Sequence, residues 1–114
     1  MGPCDRMVTP ITPEKLAERL KAGSPSVTLL DVRELDEREA ARIEPSLHIP
    51  MNEVPARKAE IPRDRPLVVY CHSGTRSMMV AGYLEGQGFT GVSNLTGGID
   101  AWSLRVDPTV PRYD

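Results

Sequence analysis

The residues with most chemical potential lie together. Cys71-His72-Ser73-Gly74-Thr75-Arg76-Ser77 follows the apolar run Pro66-Leu67-Val68-Val69-Tyr70 and precedes a helix-favouring segment. A strand, a tight loop and a helix start in succession let loop amides converge on one point, where the helix dipole adds partial positive charge. Such a point holds an anion. The anion is either a bound oxyanion or the sulfur of Cys71 itself, because a thiolate at a helix N-terminus near arginine has its pKa lowered, in known cases to about 3.5–7.5. In the second case Cys71 is a nucleophile. Gly74 permits a positive φ or a close backbone approach. Ser73, Thr75 and Ser77 are small enough to leave a pocket open, and their hydroxyls can donate to an anion or cap the helix. Arg76 brings a permanent charge and five donors, for an anionic substrate or for a neighbouring carboxylate. Free cysteines also serve as small buried hydrophobes, and strand-to-helix loops carry Gly and Ser for turn reasons alone. The strand-end position, the loop composition and Arg76 together favour the reactive reading. Cys4 has none of the three and reads as a tail residue.

The elements around this loop alternate. Thr12 is placed to cap a helix whose first position is Pro13, with Leu16, Ala17 and Leu20 on one face and Gly23 closing it. The run from Ser26 to Val32 is short, β-branched and apolar, as a strand covered on both faces would be; Asp31 near its end should sit at the sheet's edge. Residues 33–44 are helix-favouring and mostly charged and should form one or two exposed turns of helix. Ser46–Pro50 is a second strand, and Asn52–Ile61 a helix with Asn52 as N-cap and Pro55 in its first turn. Pro66–Tyr70 is a strand, Ser77–Gly86 a helix presenting Val80, Tyr83 and Leu84 on one face, Gly91–Thr96 a strand, and Gly97–Ser103 a short helix. The expected fold class is therefore α/β, a parallel sheet of about four or five strands with helices on both faces. Ligands in such folds bind beyond the carboxyl ends of the strands, where Cys71 stands.

Composition narrows the function classes. With 114 residues, 39% hydrophobic and 26% charged, the chain suits one domain with one core. We expect an N-terminal tail over 1–7, a domain over 8–104 and a proline-punctuated C-terminal tail over 105–114. The net charge of -2 gives no basic surplus for phosphates, so no nucleic-acid partner is expected. Apolar runs fall far short of the roughly 20 residues that cross a bilayer, and the start lacks a secretory apolar region, so we expect no membrane association and a cytoplasmic location. Two cysteines are too few for a disulfide framework. Cys4, His48, Cys71 and His72 do not have structural-zinc spacing, and neither a metal nor another cofactor is expected.

Four stretches carry a family resemblance: Leu29–Glu34 (LLDVRE), His48–Ile61 (HIPMNEVPARKAEI), Val68–Ser77 (VVYCHSGTRS) and Leu95–Trp102 (LTGGIDAW). In this order and spacing, covering most of residues 8–104, they resemble the rhodanese-like sulfurtransferase family, in particular a single-domain member. The resemblance implies that Cys71 takes a sulfane sulfur from a donor such as thiosulfate, holds it as a persulfide, and passes it to a thiophilic acceptor such as cyanide or a thiol. A protein persulfide could equally be donor or acceptor. The loop from His72 through Ser73, Gly74, Thr75 and Arg76 to Ser77 would bind the persulfide, Asp31 and Arg33 would support it as an ion pair or loop brace, and the kinetics would be ping-pong.

The chain departs from the family where Gly-His-Ile-Pro-Gly is common: Ala41-Arg42-Ile43-Glu44-Pro45 stands there, and without either glycine the turn must take another shape. Two rival functions remain. Cysteine-dependent phosphatases and arsenate reductases carry His-Cys, five residues, then Arg; here Tyr70 precedes the cysteine and four residues separate Cys71 from Arg76, too tight a ring for a tetrahedral phosphate. A rhodanese-like binding or regulatory module with weak activity is the other. His72 is expected at the pocket mouth, His48 packed or capped, Met78 and Met79 in the core or pocket wall, and Trp102 packed on the sheet.

Overall fold

A computed structural model describes residues 8–21 and 27–112. Its centre is a five-stranded, all-parallel sheet of β1 (Thr9–Ile11), β2 (Thr28–Asp31), β3 (Leu47–His48), β4 (Leu67–Tyr70) and β5 (Val92–Leu95), in the order β1-β5-β4-β2-β3. Five helices cover it: α1 (Pro13–Lys21), α2 (Leu35–Ala40), α3 (Val54–Arg57), α4 (Thr75–Gly86) and α5 (Gly98–Arg105). The strand that carries the cysteine explains the layering. Side chains alternate along a strand, so Leu67 and Val69 of β4 enter one apolar cluster with Val54, Val80, Ala81 and Leu84, while Val68 and Tyr70 enter another with Leu16, Ile99 and Trp102. Every residue of β4 is buried. Helices therefore lie on both faces, α3 and α4 on one, α1 and α5 on the other.

Several elements differ from expectation for identifiable reasons. β1 is a fifth strand that periodicity could not show, because only Ile11 of its three residues is buried. The Thr12 hydroxyl accepts from the Lys15 amide at 3.2 Å and starts α1; Gly23, expected to end it, and Ser26 lie outside the described residues, as does Cys4. α2, six residues with none buried, is the one to two exposed turns expected within 33–44. Arg33 is drawn inward, and the extended backbone of Ala41 (φ -165, ψ 145) ends the helix. The strand expected over Ser46–Pro50 pairs only at Leu47–His48. Asn52 caps no α-helix: it lies within a 3-10 turn (Met51–Glu53), followed by α3 with Pro55 in its first turn and a second 3-10 turn (Lys58–Glu60). The turn at the glycine-free departure carries a cis Glu44–Pro45 peptide. Met78 and Met79 are not core, being 45% and 61% exposed on α4, but Met79 does form a wall of an apolar cavity with Met51, Val54, Pro55, Val80 and Tyr83. Downstream of α5, Val106 and Val110 pack against the second cluster and Arg112 is bidentate on Asp100 at 2.8 and 3.2 Å, so the chain stays docked to residue 112.

Asp31 is inside the protein, not at a solvated edge. Asp31 and Arg33 are both fully buried and share a bidentate ion pair of 2.9 and 2.8 Å. Tyr70 and Arg38 add donors to the same carboxylate, each at 3.1 Å. Arg33 then reaches the Ala41 carbonyl at 2.6 Å, and Arg38 the Ser46 carbonyl at 3.1 Å. One buried carboxylate thus gathers the segment that contains α2 against the end of the sheet.

Candidate active site

Cys71 follows the last residue of β4 at the carboxyl end of the sheet, and it is 1% exposed. The chain then turns through Gly74, whose φ of 112° is a left-handed conformation that a side chain would strain, and enters α4 at Thr75. The helix begins two residues before the expected Ser77, so Arg76 and Ser77 belong to its first turn. This turn wraps the sulfur. The Gly74 amide donates to Cys71 Sγ at 3.1 Å, the Ser77 amide at 3.4 Å and the Ser77 hydroxyl at 3.4 Å. Burial pushes the thiol up; the Ser77 hydroxyl and the Ser77, Gly74 and Ser73 amides more than offset it and hold Cys71 below the ordinary thiol value.

The cradle is itself held from behind. α5 begins at Gly98, and its Ile99 and Asp100 amides donate to the Cys71 and His72 carbonyls at 2.9 and 3.1 Å. These helix-start donors would otherwise lack partners. Gly98 makes the approach possible: its φ is +63°, and an added Cβ would lie 2.5 Å from the Cys71 carbonyl oxygen and closer still to that of His72. On the other side, Asn94 of β5 contacts both the Ser77 hydroxyl and, at 3.3 Å, the Gly74 carbonyl. Gly98→Ala is expected to destabilise the protein by about 2–4 kcal/mol and to slow reaction at Cys71 about tenfold or more, because the loop must move away. Urea unfolding together with alkylation or sulfur-loading rates at Cys71 would check both effects.

The candidate residues divide. Cys71, Ser73, Gly74 and Ser77 meet at the sulfur through a backbone or side-chain donor. His72 contributes its carbonyl to the α5 start, and Thr75 opens α4 with an exposed side chain. Arg76 is held by Glu37 of α2 in a bidentate pair of 2.7 and 2.8 Å. Asp31 and Arg33 fix the segment that presents Glu37. His48 Nε2 meets the Arg33 carbonyl at 2.8 Å, and Trp102 is packed in the second cluster. Sequence reasoning missed Glu37, Asn94 and Gly98. The spacing of Glu34 and Glu37, three apart where they form a capping box, signals the helix start but not the pairing of Glu37 with Arg76. Among the described residues, no cluster of three or more His, Cys, Asp or Glu is placed to hold a metal ion, and no helix is long and apolar enough to cross a membrane.

A strand-end cysteine ringed by inward amides, on a 1-5-4-2-3 parallel sheet, can be compared with known proteins. The family described as "Rhodanese-like domain" matches residues 12–105. The chain belongs to that family. It is 43% identical over 104 residues to a protein named "Sulfurtransferase" from Allochromatium vinosum, covering 91% of this chain and 96% of the relative. A protein named "Putative sulfurtransferase YtwF" from Bacillus subtilis is 37% identical, with coverage of 86% and 93%. Among solved structures, a rhodanese-related protein from Thermoplasma volcanium superposes with a TM-score of 0.80 at 30% identity, covering 92% of this chain and 99% of that one. The rhodanese-like match spans both walls of the cradle, from α1 to the end of α5.

Proposed function

We propose that this rhodanese-like domain is a sulfurtransferase in which Cys71 carries the sulfur. The observation that carries the reading is the convergence of the Gly74 amide, the Ser77 amide and the Ser77 hydroxyl on Sγ. Those donors favour the thiolate in the resting state and would favour a negatively charged persulfide on the same sulfur. With thiosulfate as donor, the thiolate attacks the outer sulfur, a new Sγ–S bond forms, the old S–S bond breaks and sulfite leaves with the electron pair. Cyanide then takes the outer sulfur as thiocyanate and returns the thiolate. A thiol acceptor, small or protein-borne, would leave as a persulfide in the same way.

The names borne by the relatives support sulfur transfer as the class; the donor and acceptor are part of the proposal. Incubation with excess thiosulfate, removal of the donor and intact-mass measurement should show one added sulfur, about 32 Da, that cyanide removes. No adduct from thiosulfate or from an organic persulfide, together with turnover of a phosphate ester, would replace this reading with a phosphatase. An adduct that forms but is not passed on would favour a binding module.

A further inference from the structure

Resting on the sulfur-transfer reading, we propose that Glu37 sets donor choice by neutralising Arg76, so that the site takes singly charged organic persulfides in preference to the thiosulfate dianion. Arg76 is the only guanidinium in the stretch from Cys71 to Ser77. Its Nη1 and Nη2 donate one each to Glu37 Oε1 and Oε2, at 2.7 and 2.8 Å, and the pair is partly shielded, with side chains 34% and 17% exposed. Such a fork-to-carboxylate pair is geometrically locked, and its net field on an incoming anion is small. The Glu37 carboxylate is held in turn by the Glu34 amide at 3.0 Å, and α2 is tied down through Arg33 to the Glu37 carbonyl at 3.3 Å and the Ala41 carbonyl at 2.6 Å. On the other flank, Asp100, whose amide binds the His72 carbonyl, carries Arg112 in a second bidentate pair. Two cations near the loop are thus each matched by a carboxylate.

Charge accounting separates donors. Loading from thiosulfate brings three negative charges together, one on Sγ and two on the donor, and releases one persulfide anion and doubly charged sulfite. Loading from a persulfide anion brings two together and releases one persulfide anion and one thiolate. The dianion therefore suffers more from a neutralised arginine.

Glu37→Gln tests this cleanly, because glutamine at this third helical position can keep the capping box while losing the charge. Initial rates of Cys71 loading would be read by acid quench and intact mass, over a range of thiosulfate and of 2-mercaptoethanol persulfide. The variant is expected to lower the half-saturating thiosulfate concentration about tenfold and that of the persulfide about threefold or less, a gain that 0.5 M salt erodes. Arg76→Gln, which leaves Glu37 uncompensated, should move the ratio of the two donors the opposite way. A ratio unmoved by either substitution, in a wild-type protein that both donors load, overturns the donor selection and leaves sulfur transfer standing. Failure of both donors to load the wild type overturns the sulfur-transfer reading itself.

Discussion

Cys71→Ser should abolish sulfur loading and reduce transfer by at least about 10⁴-fold while leaving the fold in place. Serine is nearly isosteric, and its oxygen can accept from the Gly74 and Ser77 amides that now meet Sγ at 3.1 and 3.4 Å. What it cannot do is ionise in this cradle or form a persulfide. The added mass of about 32 Da should be missing from the variant, and its urea midpoint should stay close to wild type. A variant that still loads would move the sulfur to another residue. The pH dependence of the native protein carries the same information. Because hydrogen bonds hold the Cys71 thiol below its usual value of about 8.5, loading should rise with pH and reach its plateau earlier than for a free thiol.

Asp31→Asn is the expected largest loss of stability, about 3–5 kcal/mol, because it leaves the fully buried Arg33 without a counter-charge. For a domain of this size that lowers Tm by more than about 10 °C. The damage should spread to chemistry. Asp31 collects Arg33, Arg38 and Tyr70, and through them the Ala41 and Ser46 carbonyls, so the segment that offers Glu37 to Arg76 loosens as well. The pH dependence has a definite sign. Burial alone would push the Asp31 carboxyl up, but Arg33 and Tyr70 outweigh burial and hold it below the ordinary carboxylate value. Its stabilisation is therefore complete above the unfolded-state value of about 3.9 and is lost as pH falls through the lower folded-state value. Urea midpoints at pH 7 and pH 3 should show the gap between wild type and variant narrowing in acid. A constant gap would mean that the carboxylate's charge is not what stabilises the segment.

How far the sequence could be read depended on whether a residue's neighbours in space were also its neighbours in the chain. β4, the cysteine loop and α4 form one continuous strand, turn and helix, and Gly74 and Ser77 announced themselves by type. Glu37 did not, since a glutamate in a charged helix looks the same whether it meets water or an arginine 39 residues away. In the sequence Gly98 is only one of two adjacent glycines before Trp102; its closeness to the Cys71 carbonyl is a property of two strands brought side by side. Residues 51–60 form two 3-10 turns around a four-residue helix, with Pro55 in the first turn of that helix where its missing N–H costs nothing. The exposed Met78 and Met79 reversed the usual habit of methionine, and the helix face opposite Val80 and Leu84 explains them.

The clamp at the start of α5 also has a consequence in time. Ribosomes make Cys71 before they make Ile99 and Asp100, and β1 at the sheet's rim must wait for β5 before it can pair. A partly synthesised molecule therefore carries the Gly74 and Ser77 donors but lacks the α5 amides that pin the Cys71 and His72 carbonyls, so the loop around the sulfur is braced from behind only once the last helix docks.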